Sequence, residues 1–216
     1  MTTSFQLLGQ TLTPLPQRAL YWAERRTLLI ADPHFGKPES FRAFAVPVPG
    51  GTTAAALQRL DAALLDTGAE RLVVLGDFWH ARAGRTAEVV DELTAWRLAR
   101  PLLALELVPG NHDRGISQLP EAWGATVHAG NAIDPPFVYS HYPDADDAGY
   151  VLCGHLHPAV VLSGRGRQAL RLPAFWFGPR VGVLPAFGEF TGVAVVTPRP
   201  GDQVFVVAGD QVVPLP

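Results

Sequence analysis

The sequence predicts an α/β fold in one domain spanning residues 1–216, parallel in its first half and β-rich in its second. Apolar strand-like runs alternate with helical stretches up to about residue 110. After about residue 123, short strand-like runs divided by Gly and Pro turns take over. No long linker, repeat or low-complexity tract interrupts the chain. With 216 residues, 48% of them hydrophobic, the chain can bury a sizeable core.

The elements follow in order. Residues 18–23 and 27–31 read as a β-hairpin with Glu24 and Arg25 at its turn; the second strand is almost wholly apolar, as a strand buried on both faces should be, and ends at Asp32. The stretch TTAAALQRLDAALLDTG reads as a helix. Thr52 or Thr53 would cap it, Leu57, Leu60 and Leu64 share one stripe, and Gly68 ends it. RLVVLGD is a buried strand ending at Asp77. TAEVVDELTAWRLAR is a helix stopped by Pro101, and LLALELVPGNHD is a third strand. Strand-like runs then follow as ATVHAG, PFVYSH, YVLCGH, AVVLSG, ALRLP, GVAVVT and QVFVVAG, with VPVPGG and TPRPGD as loops.

Composition narrows the function classes. A net charge of -3 gives no bulk attraction to nucleic acid, so any such contact has to be local. The one cysteine, Cys153, sits in an apolar run and reads as a small core hydrophobe; it permits no intrachain disulfide. The N-terminus lacks the basic and apolar regions of a signal peptide, and no segment approaches the ~20 apolar residues of a membrane span. A cytoplasmic protein without membrane contact is the expectation.

The polar residues carry the functional signal. Each buried-looking strand ends in metal-binding groups: Asp32 and His34 after the first, then Asp77, then Asn111, His112 and Asp113, then His141, then His155 and His157. Sites form at the carboxyl ends of strands in α/β sheets. If the VLCGHLH strand continues through its end, His155 and His157 point the same way. Carboxylate, imidazole and amide oxygen suit Zn, Mn or Fe(II). The inventory exceeds the four ligands of one closed site, which suggests two metals sharing a carboxylate, an arrangement that serves displacement at phosphorus. Lys37, Arg82 and Arg114 follow ligand motifs closely and are candidates for holding phosphate oxygens, with a solvated surface charge as the alternative. His80 either touches substrate or is a loop histidine near the mouth. His128 and the pair Trp176 and Phe177 read as structural, with base stacking the alternative for the aromatic pair.

The ordered series D-x-H, G-D, G-N-H-D, a lone H and G-H-x-H resembles the calcineurin-like metallophosphoesterase superfamily. DPHFGK, GDFWH, GNHDRG, LCGHLHPAV, RLPAFWFG and LPAFGEFTG resemble, more narrowly, the ligase-associated DNA damage response endonucleases. The resemblance implies a four-layer αββα sandwich of two mixed β-sheets flanked by helices. It implies that Asp32, His34, Asp77 and His157 bind one divalent ion and Asp77, Asn111, His141 and His155 a second, with Mn²⁺ first and Zn²⁺ or Fe²⁺ as alternatives. It implies that a hydroxide between the metals attacks phosphorus, that His112 protonates the leaving oxygen and that Asp113 orients His112 through its other ring N–H. The implied activity is phosphodiester hydrolysis of DNA in repair, with a DNA ligase and a helicase as partners. A phosphodiesterase or phosphatase for a small nucleotide and, last, a non-catalytic scaffold are the alternatives. GDFWHAR departs from the GDxxDRG of the Ser/Thr phosphatases, and the chain lacks the long extension of the Mre11-like nucleases.

Overall fold

Alternate side chains of the two central strands face two different cores, and this alternation sets the layers. In the computed structural model, which describes residues 3–48, 51–113, 115, 118–164, 169–189 and 191–215, the first sheet comprises β1 (Phe5–Leu7), β2 (Gln10–Pro14), β3 (Leu20–Trp22), β4 (Thr27–Ala31), β5 (Arg71–Leu75), β6 (Ala104–Val108) and β7 (Thr126–Val127), side by side in that order. β1 to β4 pair antiparallel, and β4 to β7 pair parallel. Leu28, Ile30, Leu72 and Val74 point to one face, where they meet Leu57 and Leu60 of helix α2 (Thr52–Thr67) and Val89 and Leu93 of helix α3 (Ala87–Leu98). Leu29, Ala31, Val73 and Leu75 point to the other, where they meet Phe137, Tyr139, Leu152 and Phe175. The period-2 pleat of a strand buried on both faces produces both cores from one run of residues.

The second sheet is built from β8 (Ala132–Asp134), β9 (Phe137–Tyr139), β10 (Tyr150–Cys153), β11 (Pro158–Ser163), β12 (Ala169–Phe177), β13 (Val181–Val183), β14 (Ala194–Val195), β15 (Gln203–Ala208) and β16 (Gln211–Pro214). It runs β14-β11-β12-β13-β10-β9-β8, with β15 and β16 extending from β12. β10 lies parallel to both β9 and β13, so the sheet is mixed. The protein is therefore an α/β sandwich of two mixed sheets flanked by helices. Cys153 is buried within it.

Several local features differ from the sequence expectation. The N-terminal hairpin β1–β2 extends the first sheet by two strands. A short helix α1 (Lys37–Ala43) begins directly after Gly36. Neither Thr52 nor Thr53 caps α2: its N-cap is Gly51 in the left-handed conformation, and both hydroxyls lack a hydrogen-bond partner. Thr86 does cap α3, accepting from the Val89 N–H. Phe177 lies in the inter-sheet core, whereas Trp176 is part-buried and donates to Asp202 at 2.8 Å. His128 contacts Glu106 at 2.9 Å.

Arg71 clamps the two sheets. Its guanidinium binds both oxygens of Glu106 on β6, at 2.6 and 3.0 Å, and also Asp134 on β8. Removing the cation leaves two part-buried carboxylates facing each other. Arg71→Met is expected to lower stability by about 1–3 kcal/mol. Urea denaturation of the variant, read by tryptophan fluorescence, checks this.

Candidate metal centre

The loops that follow β4, β5, β6, β9 and β10 meet at one edge of the sandwich. Beyond the strand ends the first two continue to pair: the His34 N–H donates to the Asp77 carbonyl at 3.0 Å and the Phe35 N–H to the Phe78 carbonyl at 2.8 Å. These bonds bring Asp32 and His34 alongside Asp77. Asp113 buckles the third loop to the second. Its buried carboxylate accepts from the N–H groups of Gly110, Phe78 and Trp79 at 2.9, 3.1 and 3.0 Å. Burial holds that carboxyl above its ordinary range even though three backbone donors favour the charged form.

The backbone is strained where the candidate ligands sit. Asp32, His34, Asp77, His155 and His157 all have positive φ, between 43° and 68°. Asp and His tolerate this left-handed region better than most residues, and its concentration at one place is typical of functional sites. The strand β10 ends at Cys153, so His155 and His157 are aimed by a left-handed turn and not by a continuing strand. Three glycines make room. A Cβ on Gly76 would overlap the His141 ring, one on Gly110 the Asp77 carboxylate, and one on Gly154 the Asp32 carboxylate.

The donor atoms form two groups around Asp77. On one side, Asp77 Oδ2 lies 3.9 Å from His34 Nε2, while Asp32 Oδ2 lies 3.5 Å from His157 Nε2. On the other, Asp77 Oδ1 lies 3.7 Å from His141 Nε2, which is 2.9 Å from Asn111 Oδ1 and 3.0 Å from His155 Nδ1. Asp32 Oδ1 is 3.4 Å from His141 Nδ1 and joins the groups. Atoms each about 2.0–2.2 Å from a shared cation sit roughly 3–3.6 Å apart, close to these spacings.

The chemistry of the donor set fits a cation. Asp32 and Asp77 are 0% and 3% exposed, and among the described residues neither is within ion-pair distance of an Arg or Lys. Burial and the neighbouring Asp77 push the Asp32 carboxyl well up, and burial also raises Asp77. Buried like charges without a counter-charge are costly. Burial lowers the imidazoles instead, His34 to about 2 and His141 to about 4, so they stay neutral, which is their ligating form. The His157 Nδ1–H donates to the Gly192 carbonyl at 2.9 Å, which fixes the tautomer and leaves a buried Nε2 without a partner. Asp32 Oδ1 and His34 Nδ1 are likewise unpartnered.

At the mouth, His112 has a side chain 39% exposed. The expected Asp113–His112 contact is absent, because the Asp113 oxygens are taken by backbone amides. His112 Nδ1 instead lies 2.6 Å from the His80 carbonyl oxygen, to which it can only donate. Its Nε2 is then the free ring nitrogen, 4.0 Å from Asp77 Oδ2. His80 stacks on the His112 ring at 5.2 Å and meets His34 edge-on at 5.4 Å, so it belongs to the imidazole cluster. Lys37 is buried at the start of α1; burial lowers its ammonium against the opposing charge of Asp77, and its Nζ lies 5.9 Å from the centroid of the Phe41 ring. Arg82 is exposed and donates to the Gly115 carbonyl at 3.4 Å. Arg114 lies outside the described residues. Tyr142, which the sequence does not flag, packs edge-on against His141 and His155 at 4.7 and 4.9 Å; its position next to the lone His141 was the available signal.

No protein-family model matches the chain, and a search of curated proteins finds no relative. Among solved structures, a Pseudomonas putida nuclease, MPE, aligns over 100% of both chains with 36% identity and a TM-score of 0.86. The chain belongs to the metallophosphoesterase family of that nuclease. Two other structures overlap this metallophosphoesterase less closely. An Aquifex aeolicus protein of unknown function, AQ665, covers 65% of this chain and 82% of its own at 21% identity and TM-score 0.42. The E. coli phosphoesterase Yfce covers 86% and 90% at 16% identity and TM-score 0.38.

Gly110 tests the geometry of this metallophosphoesterase's centre without removing a donor residue, since an added Cβ would press on Asp77. Gly110→Ala is expected to displace the Asp77 carboxylate and cut Mn²⁺ affinity at least ten-fold, as read by isothermal titration calorimetry. Unaltered affinity would show that Asp77 is not part of the seat.

Proposed function

We propose that this protein is a dinuclear-metal-dependent phosphodiesterase that cleaves DNA, with a role in DNA repair. The observation that carries the reading is the division of seven donor residues into two groups on the two oxygens of one buried carboxylate, Asp77. Asp32, His34, Asp77 and His157 would hold one ion, and Asp77, Asn111, His141 and His155 the other. Two divalent ions, Mn²⁺ first among them, would supply positive charge to the phosphoryl oxygens and acidify water at neutral pH.

The chain's own residues supply the rest. His112 is the proton donor to the leaving oxygen. Its ring is held by the bond from Nδ1–H to the His80 carbonyl, so as the proton donor it would act in the imidazolium form, giving up the Nε2 proton and returning to the neutral Nδ1–H tautomer. The His112 backbone N–H donates to Asp77 Oδ1 at 2.8 Å, which keeps the donor in fixed register with the bridging carboxylate. Asp113 positions both loops through three amides. The nuclease likeness supports a nucleic-acid substrate. The repair setting, with a helicase and a ligase nearby, rests on the sequence resemblance alone.

A substrate panel with the Mn²⁺-loaded protein tests the proposal. Bis-p-nitrophenyl phosphate is expected to be hydrolysed faster than p-nitrophenyl phosphate, and DNA oligonucleotides to be cut. The reverse ranking, with no DNA cleaved, would favour a phosphatase for a small nucleotide. His112→Ala is expected to retain both metals and to lose about 10²–10⁴-fold in rate on poor leaving groups. The loss should shrink for p-nitrophenolate, which needs little protonation. An equal loss across a leaving-group series would refute the proton-donor role.

A further inference from the structure

Residues 184–189 and 191–193, in and just after the LPAFGEFTG stretch, supply no donor atom to the centre. Their backbone is nevertheless fastened to the end of β4: the Phe187 N–H donates to the Ala31 carbonyl at 2.7 Å and the Gly188 N–H to the Asp32 carbonyl at 3.1 Å. They also supply the Gly192 carbonyl that orients His157. On their outer side lies an open cleft of about 280 Å³, with His157 at one end. That volume is near the small end of ligand clefts. Pro158, Ala159, Pro173 and Ala186 give it apolar walls, and Arg18 and Arg171 give it charge.

The two arginines sit in different surroundings. Arg171 is exposed on β12 and makes no ion pair among the described residues. Arg18 is half-buried, in a turn closed by Leu15 N–H to Ala19 carbonyl and Arg18 N–H to Leu15 carbonyl bonds, with φ at 61°. An arginine held in the left-handed region is a strained residue kept in place by its surroundings. Its guanidinium is near the Gly188 carbonyl at 3.5 Å. The acidic residue of the cleft, Glu189, is paired with Arg59 at 3.2 Å and also acts through its charge on Arg18, so Arg171 is the lining arginine with no ion-pair partner among the described residues.

We infer that this cleft is the subsite for the nucleotide flanking the scissile phosphate, with Arg18 and Arg171 holding its phosphate and the proline and alanine walls receiving its base and sugar. The inference rests on the nuclease reading above. A planar guanidinium fork suits phosphate oxygens, and a chain that carries a net negative charge needs such a local positive site to hold a polyanion. The proline and alanine walls offer apolar surface to a base and sugar, while Gly188, Glu189 and Thr191 supply the polar part of the lining.

The test compares Arg18→Ala, Arg171→Glu and the double variant Arg18→Ala/Arg171→Glu with wild type, all Mn²⁺-loaded. Substrates are a twelve-nucleotide single-stranded oligodeoxythymidine and bis-p-nitrophenyl phosphate, which has no flanking nucleotide. The ratio of kcat/KM on DNA to that on the small diester is expected to fall about ten-fold for each single variant, mainly through KM. The slope of log Kd for DNA against log salt should shrink by about 0.7 per arginine removed. Arg171 is exposed on a strand, so its variant is read even if the Arg18 turn tolerates no change, and Arg18→Lys should recover part of the KM. If wild type cuts DNA and the ratio does not move, the subsite assignment is wrong while the nuclease reading stands. If wild type hydrolyses the small diester but neither binds nor cuts DNA, both fall.

Discussion

Two buried carboxylates that repel each other, Asp32 and Asp77, set the terms for the rest of this molecule. Their oxygens lie with a His141 nitrogen inside a 4.8 Å cluster, shielded from water, with imidazoles and no ammonium or guanidinium in ion-pair contact among the described residues. A protein interior accepts such a pair only with protons or cations between them. Burial holds His34 and His141 neutral, so these two cannot supply the charge themselves. What they offer is lone pairs, and that combination of carboxylates and neutral imidazoles could hold a metal cation.

The local backbone follows from holding those groups close. Left-handed conformations at Asp32, His34, Asp77, His155 and His157 let successive residues turn into the centre from short loops. Gly76, Gly110 and Gly154 let neighbouring loops approach until a carboxylate or an imidazole occupies the volume a Cβ would take. Asp113 spends its carboxylate on three amides, which costs it any direct part in orienting His112 but fixes two loops at once. The His80 carbonyl does the orienting instead.

Much of this was legible in the sequence because strands buried on both faces leave unbroken apolar runs, and their polar ends stand out. The parallel core, both long helices and the gathering of the candidate donors from five strand ends could be read that way. Other features leave no such trace. The partners of Asp113 are backbone amides, which every residue carries. The aim of His155 and His157 depends on φ values that a period-2 pattern cannot encode. The β1–β2 hairpin is too short and too mixed in polarity for its alternation to register, and α1 spans seven residues. His80 gains its place from stacking on His112, a contact between loops far apart in the chain.

The donors are also divided between the two layers. Asp32, His34, Asp77 and Asn111 hang from the first sheet, while His141, His155 and His157 hang from the second. Neither sheet alone presents a complete set. The seat therefore needs both sheets in their native places and depends on the long-range contacts between them. A cation that binds only the closed form acts as a rivet between the layers, adding to the free energy of folding in proportion to the logarithm of its concentration once the seat is saturated. A chain with only one sheet formed would hold its candidate donors apart, since each layer carries just part of the set.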